Sequence, residues 1–244
     1  MTFDPEIFLQ QLLSLDYMRG AFISVTVAVI SLIIASLIGF ALALGTTSKS
    51  KTAKRTAGVY IWFFRAIPAL LLLLIVWNAL PQLVPALRQD WYTPFIASCL
   101  ALGVAEGAYM AEVIRSALMS VDDGQKLAAR ALGFSPWRVM QKVVIPQAIR
   151  IALPPTGNEL IGLIKYTSLA SVISLRELLT TAQVGVSTTF RYAEYYSAAI
   201  IYYLVLVSIV TVIQSRVEKK FLWTSHAKPK RGSLSLLSKR SVVG

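Results

Sequence analysis

The chain has 244 residues, of which 56% are hydrophobic and only 15% are charged, and its mean hydropathy is +0.63. Soluble globular proteins carry about 25% charged residues, so this composition excludes most soluble enzymes. Lys and Arg outnumber Asp and Glu by 24 to 12, and this net charge of +12 suits a nucleic-acid binder, a membrane-surface protein or an integral membrane protein with its cations on one side.

Five apolar stretches are close in length to the roughly 20 residues that a helix needs to cross a bilayer. They are residues 21–44, 57–80, 93–114, 154–175 and 195–213. They predict an all-α integral membrane protein with about five transmembrane helices and with its termini on opposite sides. Charged residues interrupt the second stretch at Arg65, the third at Glu106, and the fourth at Glu159 and Lys165.

The basic residues predict the orientation, because short cytoplasmic loops retain Lys and Arg. Most of them lie between the first and second spans, between the third and fourth, and in the tail after the fifth. The N-terminus is therefore predicted outside and the C-terminus in the cytoplasm. Cations sorted by membrane side do not form one nucleic-acid-binding face, so no nucleic-acid partner is expected.

This topology divides the chain into three predicted parts. Residues 1–20 form an external N-terminal segment, and residues 21–221 form a transmembrane domain that includes a cytoplasmic loop at 120–150. Residues 222–244 form a basic cytoplasmic tail whose composition is typical of disorder and of contact with anionic lipid.

Cofactor chemistry has little support in the sequence. Cys99 lies within an apolar stretch and His226 lies in the basic tail, and the chain has no other cysteine or histidine. They offer no metal-ligand cluster, so no metal site is predicted. The phosphate-binding pattern G-x-x-x-x-G-K-[ST] does not occur in the sequence, so the chain is not expected to hydrolyse ATP.

The predicted cytoplasmic loop contains two short helices. The first covers residues 126–132 and is stopped by Gly133; the second has Ser135 as its N-cap and is limited by Pro146, before Pro154 and Pro155 begin the fourth span. Leu127, Ala128, Ala131 and Leu132 make one face of the first helix apolar. Such a face suits a groove on a partner protein and equally a lipid surface.

The loop carries the sequence GQKLAARALG at 124–133, followed by IPQA at 145–148 and LP at 153–154. Its flanking segments include FFRAIP at 63–68, AYMAE at 108–112, NE at 158–159 and KYTSLASVI at 165–173. In these segments the chain resembles the polar amino acid permeases of bacterial ATP-binding-cassette importers, and GQKLAARALG is similar to their EAA loop.

The resemblance implies a mechanism and a set of partners. The loop would couple the spans to an ATPase subunit through the residues at the motif positions, which are Gly124, Leu127, Ala128, Ala129, Arg130, Leu132 and Gly133. The expected partners are a second permease chain, identical or homologous, two ATP-binding-cassette ATPase subunits that use ATP and Mg²⁺, an extracytoplasmic solute-binding protein and an amino acid substrate. The expected location is the bacterial cytoplasmic (inner) membrane.

Three positions depart from the family pattern. Leu127 stands where the loop usually has a glutamate, Ala66 and Ile67 replace the usual Gly-Thr before Pro68, and Tyr166 occupies a position that often carries Asp or Asn. The first change removes a carboxylate from the coupling contact. The other changes affect the substrate path.

Ionisable residues inside the membrane are the candidates for substrate binding, because each costs at least about 2.5–3.5 kcal/mol unless it faces a cavity or a partner. An amino acid offers an ammonium and a carboxylate, so Glu106 and Lys165 are the favoured partners. The remaining candidates are Glu159, Arg65, Asn158 and Tyr166. The alternative is that these charges pair with one another and only fix the packing of the helices.

The sequence thus favours the transmembrane subunit of an ATP-driven importer for polar amino acids or amino-acid-like solutes. Two other functions stay open at this point: a membrane-embedded enzyme, and a scaffold or sensor that uses the loop only for docking.

Overall fold

The computed structural model describes residues 3–222 and is helical over most of that range, with no strand in it. The all-α fold class is therefore confirmed. The helices are α1 (Pro5–Leu12), α2 (Leu15–Thr47), α3 (Lys51–Ala66), α4 (Ala69–Leu74), α5 (Leu80–Leu83), α6 (Pro94–Met119), α7 (Asp123–Ala131), α8 (Pro136–Val139), α9 (Ile145–Tyr166), α10 (Leu178–Thr189) and α11 (Tyr192–Leu222). The tail predicted to be disordered lies outside the described residues, apart from its first residue.

Three helices in the described part of the chain are long and apolar enough to cross a membrane, and a bent pair of helices raises this number to four. Helices α2, α6 and α11 are each long and apolar enough on their own. Helix α3 and the segment from Ala69 to Leu83 form the bent pair. These four match the first, second, third and fifth predicted spans. The fourth predicted span, residues 154–175, differs from them. Its α-helix ends at Tyr166, and Glu159 and Lys165, with Pro154 and Pro155, make it less apolar.

The second predicted span is not one continuous helix. Its axis bends by 101° between α3 and the segment that begins at Ala69. Ile67 and Pro68 are extended at the bend, because a proline lacks a backbone N–H and disfavours helical geometry in the residue before it. Five residues of π-helix, Ile75–Ala79, then join α4 to α5.

The predicted boundary at Pro154 and Pro155 is wrong. Both prolines lie inside α9, and Pro146, which was expected to end a helix, lies in the first turn of α9. A π-helical segment, Met140–Val144, joins α8 to α9, so that one helical stretch runs from Pro136 to Tyr166. Tertiary contacts help to hold the proline-containing part: Gln214 of α11 donates a hydrogen bond to the Pro154 carbonyl at 3.0 Å.

Close packing of α2 against α6 forms the centre of the fold. Small residues at helical spacing on α2, including Gly39, face α6, and small residues on α6, including Gly103, face α2. A Cβ atom on Gly39 would lie 2.7 Å from the Met110 Cβ, and one on Gly103 would lie 2.8 Å from the Ile34 Cβ. This approach needs glycine, as is common where helices pack in a membrane.

Helix α10 does not correspond to any helix predicted from the sequence. Ser174 takes a left-handed conformation (φ 62°) after a 3-10 segment at Thr167–Ile173, and Glu177 then caps α10. The Glu177 carboxylate is fully buried and accepts hydrogen bonds from the Leu179 and Thr180 N–H groups at 2.8 and 2.7 Å. It also accepts a hydrogen bond from the Tyr203 hydroxyl at 3.1 Å. This residue therefore ties α10 to α11.

Candidate functional site

A cavity of about 490 Å³ lies at the bend between α3 and α4. Its walls come from the end of α3, the bend, the start of α4, one face of α6 and the end of α9. The lining residues are Phe64, Arg65, Ala66, Ile67, Pro68, Ala69, Leu70, Leu102, Ala105, Glu106, Tyr109, Glu159, Leu163, Tyr166 and Leu169. Both the volume and the apolar wall with a few polar groups are typical of small-molecule sites.

Helical periodicity explains which side chains reach the cavity. On α9, Glu159, Leu163 and Tyr166 follow each other at spacings of four and three residues and share one face. Asn158 and Lys165, which belong to the neighbouring stripe of the same helix, are exposed and are not among the lining residues. The Oδ1 atom of Asn158 instead lies 3.5 Å from the Nε2 atom of Gln214 in α11.

Two carboxyl groups meet in this cavity. Glu106 of α6 and Glu159 of α9 both line it. Glu106 is only 5% exposed, and its Oε1 atom has no hydrogen-bond partner among residues 3–222. A buried carboxyl oxygen without a partner is costly. The cavity therefore holds an acceptor that a ligand can satisfy.

Arg65 supplies the positive charge among the lining residues. Its guanidinium carbon lies over the Tyr109 ring, 5.5 Å from the ring centroid, a cation–π arrangement. The ion pairs found in the described part of the chain do not include Arg65, Glu106 or Glu159. The structure thus brings together four of the six predicted substrate-site residues: Arg65, Glu106, Glu159 and Tyr166.

Tyr109 also lines the cavity, although it is not one of the predicted site residues. It follows Glu106 by three residues, so both occupy one face of α6. That spacing was visible in the sequence, but only the packing of α3 against α6 brings Arg65 over the ring.

The residues at the motif positions of the loop lie on and beside α7. Asp122 caps this helix by accepting hydrogen bonds from the N–H groups of Gly124 and Gln125 at 2.6 and 3.3 Å. A hydrogen bond from the Lys126 ammonium to Asp123, 2.9 Å long, lowers the pKa of the Asp123 carboxyl. Gly133 has φ +82°, and Phe134 N–H donates to the Ala129 carbonyl at 3.1 Å, which completes a glycine-terminated helix end. The predicted stop at Gly133 is confirmed.

Exposure separates the motif residues into two groups. Leu127 and Leu132 are 69% and 78% exposed, and Ala128 and Arg130 are exposed as well. Ala129 is only 7% exposed and packs in a small core with Val121, Val139 and Val144 of the loop itself. The exposed face is available to a partner, whereas Ala129 holds α7 on the helices beneath it.

A continuous helical path joins this loop to the cavity. The stretch from Pro136 to Tyr166 carries Val139 and Val144 at one end and Glu159 at the other. Gln147 of this stretch donates a hydrogen bond of 2.6 Å to Gln125 Oε1 of α7. Packed helices therefore connect α7 with a wall of the cavity.

Comparisons with known proteins agree on one family. Residues 35–223 match the family described as "Binding-protein-dependent transport system inner membrane component". The chain is similar to the "Probable amino-acid permease protein YxeN" of Bacillus subtilis, with 36% identity over 81% of this chain and 87% of that protein. It is also similar to the "Glutamine transport system permease protein GlnP" of Escherichia coli, with 33% identity over 83% of this chain and 91% of that protein.

A solved structure supports the same assignment. The "Crystal structure of an amino acid ABC transporter with histidines" contains a chain that superposes with a TM-score of 0.78 and 32% sequence identity, over 90% of this chain and 100% of that one. The protein is a multi-pass membrane protein. The chain belongs to the binding-protein-dependent transport system inner membrane components, and it is the permease subunit of an ABC transporter.

Proposed function

We propose that this permease subunit imports polar amino acids or amino-acid-like solutes, and that the cavity at the α3–α4 bend binds them. The observation that carries the proposal is the presence of both charge signs in one cavity: the Arg65 guanidinium and the Glu106 and Glu159 carboxyls all line it. The relatives named for amino acid and glutamine transport support the substrate class.

The chemistry of an amino acid fits these groups. The α-carboxylate would contact Arg65, whose planar guanidinium suits a bidentate contact. The α-ammonium would contact Glu106 or Glu159, and the Tyr166 hydroxyl would contribute a further hydrogen bond. Asn158 and Lys165, exposed on the next stripe of α9, would line the path shared with the second permease chain.

Coupling to ATP hydrolysis would use the exposed face of α7. One of two ATPase subunits would contact Leu127, Ala128, Arg130 and Leu132. The ATPase subunits, and not this chain, would bind ATP and Mg²⁺. Because Leu127 is apolar and exposed, the groove that receives it would be apolar. Gly124 would let the first turn of α7 lie close to that partner, and Gly133 would set the direction of the chain after it.

The remaining assembly follows from the same proposal. A solute-binding protein would deliver the substrate from outside, and alternating exposure of the cavity would move it across the membrane. The N-terminus would lie outside and the C-terminus in the cytoplasm of a bacterial inner membrane, with the loop at 120–150 on the cytoplasmic side, as the distribution of Lys and Arg supports.

Reconstitution in liposomes with the ATPase subunits and the binding protein tests this function. We expect uptake of a radiolabelled amino acid that requires ATP inside the liposomes, and we expect Arg65→Gln to reduce it strongly. Glu112→Gln is the matched control, because Glu112 lies on α6 outside the cavity and pairs with Arg115 at 2.7 Å. Uptake that continues without ATP, or no uptake of any amino acid, would contradict the proposal.

A further inference from the structure

The charges that line the cavity are unequal in number. Its ionisable side chains of Asp, Glu, Lys and Arg type are Arg65, Glu106 and Glu159, so that two carboxyls face one guanidinium. Since residues 3–222 provide no ion pair to any of the three, this imbalance is not compensated within the described part of the chain.

A neutral amino acid uses only half of the acidic pair. Its α-carboxylate needs Arg65, and its α-ammonium needs one carboxylate, which leaves the second without a charged partner. Glu106 is almost fully buried and already has an oxygen without a hydrogen-bond partner in the described residues. An ionised carboxyl left unpaired in such a place is strongly destabilising. Two adjacent carboxyls can share a proton while the cavity is empty, and a ligand cation can take the place of that proton.

We propose that the substrate is a cationic amino acid, with a second positive charge on its side chain that contacts the acidic pair formed by Glu106 and Glu159. This inference rests on the proposed function and adds the charge of the substrate to it. One carboxylate binds the α-ammonium and the other binds the side-chain cation, while Arg65 binds the α-carboxylate. The three charges of the ligand then equal the three charges of the cavity in number, and each is opposite in sign to its partner.

The test measures binding to the permease–ATPase complex alone, because a solute-binding protein would impose its own selectivity on uptake. Radiolabelled L-arginine, L-glutamine and L-glutamate serve as probes in equilibrium dialysis against the complex in nanodiscs. We expect L-arginine to bind at least about tenfold more tightly than L-glutamine, a difference of about 1.4 kcal/mol, and we expect L-glutamate to bind most weakly.

Two variants assign that preference to the acidic pair. Glu106→Gln and Glu159→Gln keep the size of each side chain and remove one charge, so each should bring the ratio of L-arginine to L-glutamine affinity close to one. Glu112→Gln removes a carboxylate from the same helix outside the cavity and should leave the ratio unchanged. Thermal unfolding of Glu112→Gln and of the two cavity variants is measured beside the wild type. It shows whether each complex is folded.

Three results would overturn the inference: equal or tighter binding of L-glutamine by the wild type, a preference for L-arginine that survives both cavity substitutions, or no binding of any of the three probes. Any of these results could occur together with ATP-dependent uptake of a neutral amino acid by the reconstituted system. In that case this inference would fail and the proposed function would still hold. Absence of ATP-dependent uptake of every amino acid would remove the proposed function itself.

Discussion

The guanidinium of Arg65 lies 5.5 Å from the centre of the Tyr109 ring, so a cation at the end of α3 is held over an aromatic face of α6. The two residues are far apart in sequence, and the bend at Ile67 and Pro68 gives the cavity wall in which both take part. The ring stabilises the charge of Arg65 while leaving its N–H groups available to a ligand.

Replacement of Tyr109 should weaken substrate binding through Arg65. Tyr109→Leu removes the ring, and a cation–π contact of about 0.5–2 kcal/mol corresponds to a rise in the uptake KM of roughly 2- to 30-fold. Tyr109→Phe keeps the ring and should stay close to the wild type. The measurement is ATP-dependent uptake as a function of substrate concentration, and an unchanged KM in Tyr109→Leu would show that the ring does not support the function of Arg65.

The close contact between α2 and α6 predicts a large difference between two glycines. Gly39→Ala places a Cβ 2.7 Å from the Met110 Cβ and 2.8 Å from the Ala111 nitrogen, and overpacking of this kind costs about 1–3 kcal/mol. A Cβ at Gly58 meets no atom within 4 Å, so Gly58→Ala is the control and should be neutral or stabilising by up to about 1 kcal/mol.

The buried Cys99, which is the one cysteine of the chain, reports this unfolding directly. A thiol-reactive dye should label it only when the protein unfolds. The midpoint temperature of labelling should fall in Gly39→Ala alone. Equal midpoints in both variants would mean that the approach of α2 to α6 is looser than the structure has it.

The two neighbouring alanines of α7 should fail in different ways. Ala128 is exposed, so Ala128→Asp should leave the thermal midpoint unchanged and reduce binding of the ATPase subunit. Ala129 packs against Val121, Val139 and Val144, so Ala129→Asp buries a charge and should make the loop sensitive to protease. Co-purification with the ATPase and limited proteolysis separate the two. An Ala128→Asp variant that still co-purifies normally would contradict docking through this face.

Removal of the Glu177 carboxylate should destabilise the packing of α10. Glu177→Ala leaves two N–H groups of α10 and the Tyr203 hydroxyl without their acceptor, at a cost of about 1–3 kcal/mol for each buried group left unpaired. Glu6→Ala, an exposed acidic position in the first turn of α1, is the control. The labelling midpoint of Cys99 again provides the measurement, and a midpoint equal to that of the control would show that water replaces the lost acceptor.

The sequence by itself determined the class of the protein and the sites of its main helices. Apolar stretches of the right length identified α2, α6 and α11, because the thickness of a bilayer fixes the length of a helix that crosses it. Gly133 and Ser135 marked helix ends correctly, since left-handed backbone and N-capping depend on local chemistry. The periodicity of α9 also separated the Glu159–Tyr166 stripe from the Asn158–Lys165 stripe, although it did not say which one faced a cavity.

Only the tertiary structure decided which charges meet. Position along the spans favours Glu106 and Lys165 as a pair, yet Lys165 is not among the lining residues, and Arg65 lines the cavity with Glu106. The 101° bend after α3 and the unbroken course of α9 through Pro154 and Pro155 produce this result. Both depend on packing against α6 and α11. A local rule for proline indicates where a helix can break, and the contacts made by the neighbouring helices determine whether it does.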